Sequence, residues 1–356
     1  MSVKGMLKNA FVAARAYTGK KAFFSRQANT FDLCRAEIKK ANSLGFTAEE
    51  YIIYDLKHND PAEYLSEYER EFFRNAVRDY RVLLDNKIVF YSIIRNFTPA
   101  NRIFAYKMHG RFVALEEGFG EDAIPARIRE FGKIAYKETG SGGGVGFRLL
   151  EFSGGAFSIN RKPATEEDIL FLLRKDGFFL EEFCCQGAFE QQLWPYSVNT
   201  IRIVSLDLHD DVRIAAAFQR IGIDRENCVD NVCAGSLYAA IDLNTGVLSA
   251  ARSRAPGNFI ESDRTPRWFP KHPGTGAQIE GIRIPNWTWL CDEIRDLHRK
   301  LAFTEIEFIA WDVALLDDGF KIIEANTSCG MRILQTFGGA RKGVIGKWMK
   351  EKGYIS

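Results

Sequence analysis

One stretch near the C-terminus constrains this chain more than any other. Residues 308–332 read FIAWDVALLDDGFKIIEANTSCGMR. Two apolar runs flank the turn Asp317-Asp318-Gly319, and an Asp-Gly turn between apolar runs is a strong hairpin signal. Asp312 interrupts the first run. Glu324 and Asn326 sit two apart on the second, so their side chains share one face of a strand. If Asp312 falls on that face of the neighbouring strand, two carboxylates and an amide oxygen converge. Such hard oxygen ligands suit Mg²⁺ bound together with phosphates. The loop Thr327-Ser328-Cys329-Gly330 follows, where backbone N–H groups can help to hold anions. Taken alone, the stretch is equally compatible with a hairpin whose polar residues face water.

The bulk properties narrow the class. A chain of 356 residues is too long for one core and suits two or three domains. With 48 basic against 46 acidic residues the net charge is +2, which argues against a general polyanion-binding surface and hence against a nucleic-acid partner. The seven cysteines form no CxxC pair, and the pattern predicts reduced thiols and a cytoplasmic location. No stretch approaches the roughly 18 apolar residues of a membrane span. The first 21 residues have apolar positions at helical spacing, at Met6, Leu7, Phe11, Ala14 and Tyr17. They predict an amphipathic helix docked on its own domain.

Residues 1–85 read as a helical region. Phe31–Ser43 has helical periodicity after Asn29-Thr30, Thr47-Ala48-Glu49-Glu50 is a capping box, and Pro61 opens a third helix through Tyr64, Leu65, Tyr68 and Phe72. Residues 86–180 change character. Asn86-Lys87 precedes the apolar run IVFYSII, and short strands follow around a His109-Gly110 turn. Lys133–Leu150 then carries Lys137 on a strand, before a loop that includes Gly140, Ser141, Gly142, Gly143 and Gly144. Glycine lets backbone N–H groups cradle phosphate oxygens, and a lysine just before the loop can reach the same phosphates. This is not a P-loop, whose lysine follows its glycines and opens a helix. A floppy hairpin tip is the plainer alternative. The strand FFLEEFCC ends in Glu181-Glu182, which is either solvated surface or a hinge bonding an adenine amino group and a ribose.

Residues 181–356 make up the rest. Asn199, Arg202 and Arg220 lie on two strands around Asp210-Asp211. A buried Arg202 needs an anion, either a phosphate or a carboxylate of the protein. Asn231 precedes Gly235. Residues 252–287, rich in Arg, Pro and Trp, have no clear periodicity. Their charges either hold an acidic substrate or coat the surface.

Taken in order, these motifs resemble the ATP-grasp superfamily of carboxylate–amine ligases. WDVALLDDGFKIIEANTSCG is similar to that superfamily's metal-binding signature. VNTIRIVSL, Arg220 and Asn231 resemble the ribosomal-protein glutamate ligase branch. NTIRIVSL, VDNVCAG, IDLNTG, HPGTG and IPNW resemble the sugar-transfer-associated ATP-grasp group. The resemblance covers about residues 85–340. Cys329 departs from it where a proline is common, and the first 85 residues do not read as the usual α/β domain.

The resemblance implies an α+β ATP-grasp fold, two α+β subdomains clamping ATP, with a helical N-terminal region. It implies a lid subdomain at 86–180 and a C-terminal subdomain at 181–356. Lys87, Lys137, the glycine loop, Glu181, Glu182, Asn199 and Asn231 would hold ATP, with Glu190 a candidate for the ribose. Asp312, Glu324 and Asn326 would hold one or two Mg²⁺ ions, and Arg202 and Arg220 would be catalytic. The implied reaction is amide formation through an acyl phosphate. Its partners would be a small carboxylate and an amine, such as an amino acid or a sugar acid, with polysaccharide or glycoconjugate synthesis as the implied setting. A phosphotransferase on the same site, a non-catalytic ATP-binding protein and an unrelated sugar-binding protein are the alternatives, and oligomerisation is open.

Overall fold

In the computed structural model the described residues are 19–139, 146–226, 228, 230, 235–260 and 264–355. They fall into two units. One gathers the described residues of 1–76, 259–266 and 329–356, and the other holds 77–258 and 267–328. The C-terminal segment from Cys329 onward thus groups with the N-terminal helices.

The first unit is helical. Thr47 caps the helix Ala48–Ile53 by accepting from the Glu50 amide, and the Glu50 carboxylate accepts from the Thr47 amide in return. Its core packs Phe31, Phe46, Ile53, Tyr54 and Tyr64 with Phe259. Two local expectations shift. The helix expected over 31–43 starts at Arg35, because the Asn29 side chain bonds the Leu33 N–H and C=O and holds 29–33 as a loop. The helix expected from Pro61 breaks into a 3₁₀ turn, Pro61–Glu63, and a helix, Glu67–Ala76. The Gln335 amide bonds both backbone groups of Leu65 at 2.6 Å, and so pulls that residue out of helical bonding.

The second unit contains two antiparallel sheets. The first sheet comprises β1 (Ile103–Met108), β2 (Arg111–Ala114), β3 (Lys133–Glu138), β4 (Arg148–Ser153), β5 (Ala156–Ile159), β6 (Lys162–Ala164) and β7 (Phe178–Glu182). Their spatial order is β2-β1-β7-β3-β4-β5-β6. His109 and Gly110 both take positive φ, as the two-residue turn between β1 and β2 requires. Helices Ile124–Phe131 and Glu166–Leu173 cover one face through Ile124, Ile128, Ile169 and Leu173. Thr165 caps the second of these helices by accepting from the Asp168 amide.

The second sheet comprises β8 (Ile201–Asp207), β9 (Val212–Ile221), β10 (Leu237–Ala240), β11 (Arg252–Ser253), β12 (Phe308–Leu316) and β13 (Gly319–Asn326). Their order is β11-β10-β9-β8-β12-β13. Helix Trp287–Lys300 packs Leu290, Ile294 and Leu297 onto one face, against Ile201, Ile203, Ile309, Trp311 and Val313. The alternate residues of the same strands therefore point to the opposite face. The run IVFYSII is a helix, Lys87–Ile94, rather than a strand. Asn86 caps it by accepting from the Ile88 and Val89 amides, and Phe90 and Ile94 join the core beneath β13. In the described part of the 252–287 segment, short pairings join Ala251 with Phe269 and Lys271 with Gln278. Among the described residues no helix is long and apolar enough to cross a membrane.

Candidate active site

The opposite face of the second sheet carries the predicted cluster. Asp312 on β12 stands directly across from Glu324 on β13, and Ala310 across from Asn326. A bulge beside Asp312 lets Glu324 and Asn326 share its face. On the other flank Asp312 pairs in register with Arg202 of β8. Arg202 grips both Asp312 oxygens, Nη2 lying 2.9 Å from Oδ2, and Arg220 Nη2 reaches the same Oδ2 at 3.0 Å. The anion that a buried Arg202 requires is thus a carboxylate of the protein.

Burial alone would raise the Asp312 carboxyl, but Arg202 and Arg220 outweigh it and hold Asp312 well below the usual carboxylate range. Glu324 is pushed up, first by burial and then by Asp312, against the opposing pull of Lys87. The two carboxyl groups face each other across the register pair. This environment keeps one acid charged and favours a proton or a cation between the two.

The first sheet contributes its own pair. Lys137 of β3 and Glu181 of β7 project from the face opposite the helices and meet at 2.5 Å. Burial opposes the Lys137 charge, but Glu181 outweighs it and the lysine stays protonated. Asn101 donates to Glu181 at 3.4 Å. Lys87, at the first position of its helix, lies 3.7 Å from Glu324. Glu182 is engaged by Lys321 at 2.8 Å and Arg102 at 3.9 Å. Lys87, Lys137, Glu181, Asp312 and Glu324 form one linked cluster, with Arg202 and Arg220 beside it and Glu182 at its edge.

Other predicted residues fall elsewhere. Asn199 is fully buried, and its amide bonds the Glu190 and Trp194 carbonyls and the Gly222 N–H. It stiffens the turn into β8. Glu190, the candidate ribose carboxylate, is buried against Gln219 on the apolar side of the sheet, and burial pushes it well above the usual range. Gly140, Ser141, Gly142, Gly143, Gly144 and Asn231 lie outside the described residues, as does most of the N-terminal amphipathic stretch.

Sequence reasoning missed three partners. Asp230 accepts from the Thr200 amide and hydroxyl at 2.8 and 2.6 Å and lies 3.4 Å from Arg220. Lys321 holds Glu182. Asp85 accepts from the amide of Thr327, next to Asn326, at 3.0 Å. The available signal was an acid within the apolar run VDNV for Asp230, and an alternating polar position on β13 for Lys321.

The family profile described as sugar-transfer associated ATP-grasp matches residues 66–344. The chain belongs to the sugar-transfer associated ATP-grasp family. Its fold is the α+β ATP-grasp fold. Similar solved structures include the ATP-grasp ligase PsnB complexed with precursor peptide PsnA2 and AMPPNP, at 14% identity and TM-score 0.39, covering 73% of this chain and 55% of that one. D-alanyl-alanine synthetase A from Vibrio cholerae O1 biovar eltor matches at 12% identity and TM-score 0.40, covering 72% and 58%. D-alanine–D-alanine ligase from Bacillus anthracis matches at 11% identity and TM-score 0.36, covering 76% and 62%. The ATP-grasp chain thus spans between 55% and 62% of the length of these proteins. No curated protein matches it.

The donor set of this ATP-grasp site fits Mg²⁺. Two carboxylates meet in register, and Asn326 adds a carboxamide whose nitrogen is buried without a hydrogen-bond partner. Among the described residues no group of three or more His, Cys, Asp or Glu could by itself hold a metal ion. A site with few protein oxygens suits Mg²⁺, which keeps positions for phosphate and water.

Proposed function

We propose that this protein is an ATP- and Mg²⁺-dependent carboxylate–amine ligase that forms an amide through an acyl phosphate. The observation that carries the reading is the register pair Asp312–Glu324. It is flanked by Arg202 and Arg220 on the sheet and approached by Lys87 and the Lys137–Glu181 pair. In this reading residues 86–180 are the lid over ATP, and β8–β13 form the metal side. Lys87 and Lys137 bind phosphate oxygens, and Glu181 and Glu182 line the nucleoside side. Asp312, Glu324 and Asn326 would hold one or two Mg²⁺ ions, which neutralise charge on the β- and γ-phosphates.

A substrate carboxylate oxygen attacks the γ-phosphorus. The bond to the β-phosphate oxygen breaks, releasing ADP and leaving an acyl phosphate. The amine nitrogen then attacks the acyl carbon, phosphate departs and the nitrogen loses its proton. Arg202 and Arg220 orient the carboxylate and offset the charge that builds up around it. An amino acid and a sugar acid of a glycan precursor are the substrate classes we favour, with the reaction in the cytoplasm.

The test is hydroxylamine trapping. Purified protein with MgATP, hydroxylamine and pools of amino acids and sugar acids should form hydroxamate together with ADP. Asp312→Asn and Glu324→Gln should abolish it. A stable phosphorylated product without hydroxamate would mean a phosphotransferase instead. Unchanged MgATP binding in both variants would overturn the site itself.

A further inference from the structure

Helix Lys87–Ile94 is fastened to β13 at both ends. Beyond its far end, Ile322 donates to the Pro99 carbonyl at 3.2 Å, and Ala100 forms a parallel bridge with Ile322. At its near end the fastening is one side chain. Asp85 Oδ1 accepts from the Thr327 amide at 3.0 Å and from the Thr327 hydroxyl at 3.1 Å. Asp85 Oδ2 is held by Arg81 Nε at 3.0 Å. The β12–β13 ladder ends at Asn326, paired with Ala310. The Thr327 N–H therefore lies past the last strand partner, and it is buried. A buried N–H without an acceptor is costly, so the carboxylate fixes where the chain goes after Asn326.

Three consecutive residues divide this work. Asp85 grips the residue after Asn326, Asn86 caps the helix, and Lys87 reaches Glu324 at 3.7 Å. On the reading above, Asn326 and Glu324 hold metal and Lys87 holds phosphate. We infer that Asp85 is a positioning residue, which sets the separation of Lys87 and the Glu324–Asn326 pair by clamping Thr327. The inference rests on the metal assignment of the preceding section. Nothing requires Asp85 to touch substrate. Its effect is to pre-set a geometry that metal and phosphate would otherwise have to impose on binding.

Asp85→Ala removes the acceptor, whereas Asp85→Asn keeps an Oδ1 that can still accept from the Thr327 amide. The measurement is a calorimetric titration of ATP into each variant at graded Mg²⁺ concentrations, and again without Mg²⁺. Asp85→Ala should weaken Mg²⁺-dependent ATP binding by about ten- to a hundredfold, the usual effect of losing an outer support of a metal ligand. It should leave Mg²⁺-free binding unchanged, and Asp85→Asn should recover most of the loss. Equal weakening with and without Mg²⁺, no weakening, or an Asp85→Asn as impaired as Asp85→Ala would each overturn the inference. Asp312→Asn is run in parallel. If Asp312→Asn also leaves the Mg²⁺ dependence unchanged, the metal assignment fails and this inference with it. If Asp312→Asn abolishes the dependence while Asp85→Ala does not, only the role of Asp85 fails.

Discussion

Lys137 and Glu181 meet at 2.5 Å across the neighbouring strands β3 and β7, on the face turned away from the core of their sheet. A lysine so placed is held charged and aimed before any ligand arrives, at the cost of a nearly buried acid beside it. Lys137→Met should expose that cost by leaving Glu181 without its countercharge. Loss of one partner of a buried pair costs about 3–5 kcal/mol. Urea unfolding should show this in the single variant, and Lys137→Met/Glu181→Met should regain most of it. Equal stability of the single and double variants would refute the pairing.

Arg202 contacts Asp312 through Nε and Nη2, a two-point grip that an ammonium cannot reproduce. Arg202→Lys should keep the charge and lose the alignment. Hydroxamate formation should fall at least about tenfold, roughly 1.4 kcal/mol in the barrier. Wild-type turnover in Arg202→Lys would show that charge alone suffices there.

Glu50 gives the helical unit a pH dependence. It is fully buried, and burial first, then Glu67, push its carboxyl up to about 8 from 4.5. The folded state therefore keeps a proton that the unfolded chain releases. Stability should be highest below about pH 4.5 as far as this group is concerned. It should decline as pH rises through the window to about 8, at a slope of up to about 1.4 kcal/mol per pH unit. Glu50→Gln should flatten that slope in unfolding curves taken between pH 5 and 8. A slope that persists unchanged in the variant would assign it to other groups.

Gly187 abuts the turn of the β12–β13 hairpin. A Cβ there would lie 2.6 Å from the Leu316 carbonyl carbon and 2.7 Å from the Asp317 nitrogen, both backbone atoms with little room to yield. Gly187→Ala should destabilise the protein by about 1–3 kcal/mol. Tryptophan fluorescence during unfolding would register it through Trp311 on β12. A neutral effect would mean that the 186–188 segment is looser than its hydrogen bonds to Leu315 and Asp317 indicate.

The hairpin was legible in the sequence because its signals are local. Alternation fixed the faces of Glu324 and Asn326, and Asp317-Asp318-Gly319 fixed the turn. The bulge beside Asp312 was not legible, yet it sets which residue stands opposite which. The run IVFYSII has no period that separates helix from buried strand, and the deciding residue, Asn86, lies outside it. Asn199 reads in one dimension only as a polar residue beside an apolar strand. Its engagement with Glu190, Trp194 and Gly222 exists only after folding. Asp85 and Thr327 are far apart in the chain, and no local pattern announces such a pair.

β13 is the last strand of its sheet, so its outer backbone groups would be open to pairing with another chain. The Pro99–Ala100 segment occupies part of that border, and Pro99 brings no N–H of its own to extend a ladder. The same segment that anchors the Lys87 helix therefore also guards the protein against strand-to-strand aggregation. A truncation that begins after residue 100, the natural choice for isolating the two sheets, would bare this border and should give a protein that self-associates.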